Sequence, residues 1–233
     1  VGAEPTLSID TTKKYFNSAV GATTKSLFTN YASVGDALNV DVSAENWAVV
    51  FFVKTPAIYG LQNNHLMCFS QTTEDGSCAI FTTNTGVLKV RTKSGTATTV
   101  TTSSTLTADS YYIIVIGTED SSGNIFVRVN GTDDGTTGTV NDIEIDGTTN
   151  KTQVSLLSRE TSSAYDQPWL GNMYEFYWLK SSTVDNSFLS EIEKIEGGIA
   201  RKYDALDLLP GDHEYKSAKP HGSPIKQGPN RYG

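Results

Sequence analysis

One stretch of this chain, Glu193-Lys194-Ile195-Glu196-Gly197-Gly198-Ile199-Ala200-Arg201-Lys202-Tyr203, is almost the only strong helix signal in an otherwise strand-like sequence. Ile192, Ile195, Ile199 and Tyr203 recur at intervals of three and four, which places them on one apolar stripe that must lie against a sheet. Ser190 and Glu193 have capping-box spacing, which predicts a helix start at Ser190. Gly197 and Gly198 each cost about 0.5–1 kcal/mol in a helix interior, so close approach of a neighbouring backbone is expected to offset them.

The remainder reads as short strands separated by turns. Trp47–Lys54 and Tyr111–Gly117 are continuous apolar runs, as expected of strands covered on both faces. Leu66–Ser70 with Cys78–Thr82, and Val87–Thr92 with Thr98–Ser103, form hairpins, the second turning at Ser94-Gly95. In the alternating segment Ile125–Gly131, Ile125, Val127 and Val129 share one face and Phe126, Arg128 and Asn130 the other. Val140–Asp146 and Gln153–Ser158 are further expected strands. Leu170–Lys180 reads as a long strand with Tyr174, Phe176 and Trp178 opposite Glu175, Tyr177 and Leu179. Turn signals every 8–12 residues indicate an all-β sandwich or barrel. Residues 1–216 are expected to form one domain with its core from about residue 40, and residues 217–233 a Pro/Gly-rich arm.

The charge is uneven. The net value of −8 argues against a general nucleic-acid binder. From Lys216 onward there are four basic residues, Lys216, Lys219, Lys226 and Arg231, and no acid, so the body holds 14 basic against 26 acidic residues. Such a tail is expected to dock on an acidic surface, either another copy or a different protein. No apolar run reaches the roughly 18–20 residues a membrane helix needs, and no export signal is visible at the N-terminus. Cys68 and Cys78 flank a hairpin turn and are read as two buried thiols, with a cross-hairpin disulfide as the alternative.

The order of these segments resembles the concanavalin A-like lectin/glucanase superfamily, in its laminin G-like branch. The resemblance covers roughly residues 40–216. It lies in Trp47–Lys54, in the block Tyr111–Gly131 ending Val-Asn-Gly, and in Gly171–Leu179. It lies also in a closing motif of Glu196, Gly197, Ile199, Ala200, Lys202 and Tyr203, then Leu209-Pro210, then His213-Glu214-Tyr215-Lys216. Gly198, Tyr203 and Glu214 depart from the residues common there. The resemblance implies a two-sheet antiparallel jelly-roll sandwich with one sheet concave. The superfamily includes lectins, glucanases, adhesion modules and virion proteins, so fold alone leaves the function open.

Several chemistries can be weighed from the residues. Retaining glucanases of this fold carry Glu-x-Asp-x-x-Glu on one strand, since nucleophile and acid/base must stand about 5 Å apart. The nearest match, Glu144-Ile145-Asp146, lacks the third acid. His65, His213 and His221 occupy no nucleophile context, and no phosphate-cradling loop is present. No cofactor is expected. Calcium is the one alternative, with Asp120, Asp133 and Asp134 as candidate oxygen donors, all in turns where Asp is common anyway. For sugar binding, Tyr165, Asp166, Gln167 and Trp169 offer aromatic and polar groups in one loop, and Asn63 and Asn64 in another. Against this, a Trp169 that seals one end of the sandwich is the slightly favoured reading.

The expectation is a non-enzymatic virion structural protein of a tailed phage, assembled in the host cytoplasm. It would decorate the head or form part of a fibre, with weak binding of cell-surface glycans. Its partners would be other virion subunits, with self-association, and neither nucleic acid nor membrane. The alternative is a secreted bacterial carbohydrate-binding module. A glucanase or polysaccharide lyase ranks behind both.

Overall fold

The computed structural model describes residues 8–10, 15–17, 26–28, 40–60, 62–69, 77–118, 122–143, 154–157, 159–160, 165–181 and 186–217. Two antiparallel sheets stack face to face. The first runs β1(Ser8–Asp10), β2(Tyr15–Asn17), β15(Asn172–Ser181), β4(Asn46–Lys54), β9(Tyr111–Thr118), β10(Ile125–Val129), β11(Thr132–Asp133). The second runs β3(Ser26–Phe28), β12(Val154–Leu156), β5(Asn64–Phe69), β6(Ser77–Thr82), β7(Val87–Ser94), β8(Thr96–Thr105). A short ribbon pairs β13(Arg159–Glu160) with β14(Tyr165–Asp166). This is the expected all-β sandwich with one substantial helix, α1(Asn186–Lys202), followed by a 3-10 turn at Leu206–Leu208 and a single helical turn, α2(Glu214–Ser217).

Strand β4 explains the layering. Trp47, Val49, Phe51 and Val53 point between the sheets and join Leu66, Ile80, Val90, Ile114 and Ile116 in the main core. Ala48, Val50 and Phe52 point the other way, where Ile113 and Val115 of β9 and Phe188, Ile192 and Ile199 of α1 meet them. The helix therefore lies on the outer face of the seven-stranded sheet, and that is why Trp47–Val53 of β4 and Ile113–Ile116 of β9 are apolar without interruption. Burying each isoleucine of this stripe contributes about 1.5–3 kcal/mol.

The helix begins at Asn186 rather than at Ser190. Phe188 is apolar and packs on the sheet, so an extra turn forms, and Ser190 faces the Tyr215 hydroxyl at 3.1 Å instead of capping. Of the paired glycines only Gly197 is a close-approach position. A Cβ there would lie 2.6 Å from the Tyr215 Cβ, whereas one on exposed Gly198 would meet nothing within 4 Å.

The closing motif forms a clasp. Glu196 is fully buried and accepts from the Arg128 guanidinium at 3.0 Å (Nη2 to Oε2). The Tyr215 N–H donates to His213 Nδ1 (3.3 Å), so the ring hydrogen resides on Nε2, which donates to Glu196 Oε2 (3.2 Å). Arg128 Nη2 also donates to the Gly131 carbonyl at 2.9 Å. Gly131 itself has φ +76°, and a side chain there would strike His213. Glu196, Gly197, His213 and Tyr215 thus fasten the C-terminal segment to the sandwich through packing and hydrogen bonds, while Glu214 is exposed.

Three other expectations need correction. Val140–Asp146 does not form a strand where it is described: residues 140–143 make only an isolated bridge, Val40 with Ile143. His65 and Asn64 belong to β5 and not to a loop. In β15 a bulge sets Tyr174 and Glu175 together opposite Phe52, between the pairs Met173–Val53 and Phe176–Phe51. Phe176 and Trp178 therefore enter the main core, while Tyr174 turns outward with Leu179.

The cysteines are free and buried. Strand register explains why. Cys68 pairs with Ala79, and Cys78 with Phe69. Successive residues point to opposite faces of a strand. Cys78 therefore joins the main core and Cys68 the outer cluster with Ala79 and Phe81, so the two thiols are on opposite sides of the sheet. Burial, with Cys68 nearby, pushes the Cys78 thiol well above its usual range.

Candidate functional site on the six-stranded sheet

The two loops named from the sequence meet, although a hundred residues separate them. The His65 N–H donates to the Gln167 carbonyl at 3.0 Å, and Pro168 bridges to His65 in parallel fashion. Residues 167–168 thereby run alongside the start of β5. Trp169, by contrast, is wholly enclosed in the main core. A ring with no exposed face cannot stack on a sugar, so Trp169 seals the sandwich and is not a ligand residue. Asn64 is also buried, with its amide donating to the Gln62 carbonyl at 3.2 Å. Asn63 is half-buried. Tyr165 and Asp166 form β14, pairing with Glu160 and Arg159.

Beside this junction lies the outer face of the six-stranded sheet, and its chemistry is set by register. Leu88 and Val90 of β7 point into the core, so Lys89, Arg91 and Lys93 point outward. Lys89 pairs with Phe81 and Arg91 with Ala79 across β6, and these pair in turn with His65 and Cys68 on β5. On the other side, Lys89 and Arg91 pair with Thr101 and Thr99 of β8. Each row across the sheet thus passes from an apolar or imidazole group to a cation to a hydroxyl. His65 stacks on Phe81 with ring centroids 4.8 Å apart and planes 19° from parallel.

Two polar atoms here are buried without a hydrogen-bond partner: Arg91 Nε, a donor, and Gln167 Oε1, an acceptor. Gln167 also holds the left-handed backbone conformation, φ +47°, which an L-residue adopts at a cost. An unsatisfied buried polar group costs about 1–3 kcal/mol, so both atoms are locally destabilising. A row of three cations on a chain of net charge −8 makes this face the complement of an anion. The spacing Lys89-x-Arg91-x-Lys93 was the signal in the sequence, and the alternation of β7 was the key to it.

The other candidates have different roles. Asp133 and Asp134 turn their carboxylates on backbone N–H groups: Asp133 on Gly135 at 2.9 Å, Asp134 on Thr136 at 2.9 Å and Ser104 at 3.2 Å. Those contacts fit turn-forming aspartates. Asp120, Glu144 and Asp146 lie outside the described residues. Lys216 donates to the Leu209 carbonyl and so is tied to its own chain. Lys219, Lys226 and Arg231 lie outside the described residues.

No protein-family model and no curated protein matches this chain. Solved structures do resemble it. The CBM40 module of the Ruminococcus gnavus IT-sialidase superposes with a TM-score of 0.50 at 14% identity, over 72% of this chain and 93% of the module. The NanB sialidase of Streptococcus pneumoniae gives 0.51 at 14% identity, over 72% of this chain and 27% of that one. A SAP-like pentraxin from Limulus polyphemus gives 0.41 at 12% identity, and this chain spans 63% of its length, just under two thirds. At 14% identity the likeness to the module and to NanB is one of fold, an antiparallel jelly-roll sandwich.

Proposed function

We propose that this chain is a non-enzymatic glycan-binding module that holds acidic sugars on the outer face of its six-stranded sheet. The observation carrying this reading is the outward row of Lys89, Arg91 and Lys93 on β7, flanked by Thr99 and Thr101 of β8. A carboxylate or sulfate on a sugar would accept from Arg91 and Lys89, and charge-assisted hydrogen bonds of this kind are the strong ones. The Thr99 and Thr101 hydroxyls supply weaker polar contacts along the same rows. The resemblance to a sialidase carbohydrate-binding module is in keeping with this reading. A secreted binding module and a displayed adhesive domain use such a face alike. Display on a tailed-phage particle, the setting suggested by the closing motif, is a proposal about where the module works. Its test is incorporation into particles after removal of residues 218–233.

An array of immobilised glycans tests the binding itself. Carboxylated or sulfated glycans should retain the protein and their neutral counterparts should not. Arg91→Ala and Lys89→Ala should each weaken retention, and an unchanged pattern in both variants would remove the site.

A further inference from the structure

The opposite face of the molecule holds a cavity. A groove of about 370 Å³ opens where the 203–208 turn leaves α1, on the outer side of the seven-stranded sheet. That is at the small end of ligand pockets, roughly 300–1,000 Å³. Its lining includes Phe52, Tyr111, Tyr174 and Tyr203, with Asp204 and Asp207 from the turn. Phe52 lies at the centre, 5.9, 5.3 and 4.8 Å from the rings of Tyr111, Tyr174 and Tyr203. Tyr174 reaches this place only because of the bulge in β15, which puts it beside Glu175 on the outward face. Tyr111 is 43% exposed, an unusual state for a large ring beside a core cluster.

The electrostatics of the groove are one-sided. Among the described residues no lysine or arginine lines it. The nearby cations are already engaged: Lys54 with Asp109 at 2.5 Å and Lys202 with Glu175. Among the described residues Asp204 and Asp207 have no ion pair, which leaves two uncompensated carboxylates at an aromatic wall. The faces of these rings do attract cations. Lys54 is 5.6 Å from the Tyr111 centroid and Lys202 is 5.2 Å from that of Tyr203. Aromatic walls carry negative charge on their faces, and a quaternary ammonium group is the ligand such walls recognise best, being cationic yet weakly hydrated. A neutral sugar would gain nothing from the two acids as charges, and an anion would be repelled by them.

We infer that this groove is a binding site for a small quaternary ammonium compound of the choline type, separate from the glycan face. The trimethylammonium head sits against Tyr111 and Tyr174, with Phe52 as the buried support behind them. Asp204 and Asp207 balance its charge from the turn. The phenol of Tyr203 is pushed up to about 12, by burial first and by its bond to Glu175, so it stays neutral and fixes the wall.

Calorimetric titration of the whole chain with choline, and with its neutral isostere 3,3-dimethylbutan-1-ol, separates charge from shape. Choline should bind about tenfold more tightly, the ratio that about 1.4 kcal/mol of cation–π and charge attraction produces. Asp204→Asn with Asp207→Asn, both exposed and isosteric, should remove most of that preference without changing the fold. Tyr111→Ala should weaken choline further, while Arg91→Ala should leave it unchanged. Phosphocholine should bind less well than choline, since its phosphate meets the same two acids. Equal binding of choline and the alcohol, no binding of either, tighter binding of phosphocholine, or full retention in the double variant would each overturn the assignment.

Discussion

Arg128 on β10 and Glu196 on α1 face each other at 3.0 Å with the carboxylate fully enclosed, so the helix is fastened to the sheet by an ion pair at the centre of its contact. Glu193 adds a second carboxylate at 3.3 Å, and His213 donates to Glu196 from the other side. Removing Glu196 leaves His213 Nε2 without its acceptor and Arg128 with only Glu193 and the Gly131 carbonyl. Glu196→Ala is therefore expected to destabilise the protein by about 3–5 kcal/mol in urea unfolding. Glu196→Ala combined with Arg128→Met should recover a large part of that loss, and a strictly additive double variant would contradict the coupling.

The two helix glycines differ in what surrounds them. Gly197→Ala forces a methyl to 2.6 Å from the Tyr215 Cβ and is expected to cost about 1–3 kcal/mol as overpacking. Gly198→Ala projects into open space and should stabilise by about 0.5–1 kcal/mol through better helix propensity. Thermal unfolding of the pair should therefore show midpoints moving in opposite directions.

Glu175 links acidity to stability. Burial would raise its pKa, but the hydrogen bonds from Lys202 and Tyr203 and the charge of Lys202 outweigh this and hold it below the ordinary carboxylate value. A depressed native pKa contributes stability above the unfolded value of about 4.3, and that contribution is lost as the pH falls through the native value. Glu175→Gln should therefore flatten the acid limb of the stability–pH curve. The difference between the two proteins should vanish at the lowest pH. A parallel pair of curves would mean the carboxylate is not linked to folding.

With Cys68 and Cys78 on opposite faces of the sheet, reductant should leave the unfolding midpoint unchanged. A thiol reagent should modify neither in the native state and both after unfolding. A midpoint lowered by reductant would require a bond that this register forbids.

How far the sequence disclosed the structure depended on the range of the interaction. Trp47–Lys54, Tyr111–Gly117 and the Ile192–Ile199 stripe are legible because local periodicity and burial agree. The helix start was misplaced by one turn because a capping pattern at Ser190 competes with the packing of Phe188, which only the sheet decides. The outward turn of Tyr174 was hidden because a bulge is a property of two paired strands. The meeting of Gln167 with His65, and the alignment of Lys89 with Phe81, likewise depend on pairings between distant segments. Trp169 was ambiguous in the sequence, since a tryptophan in a polar loop fits a binding platform or a seal, and its complete burial, with its backbone N–H on the Leu157 carbonyl, decides for the seal.

The central claim is that the six-stranded face selects acidic sugars through Arg91 and Lys89. Its most direct measurement is the dissociation constant of one oligosaccharide in its carboxylated form and as the neutral amide, for the wild-type chain and for Arg91→Ala. The account predicts that the carboxylated form binds the wild type at least about tenfold more tightly, as the loss of roughly 1.5–3 kcal/mol of charge-assisted hydrogen bonding requires, and that Arg91→Ala erases most of the difference. Equal affinity of the two forms for the wild type, or a preference untouched in Arg91→Ala, would contradict it.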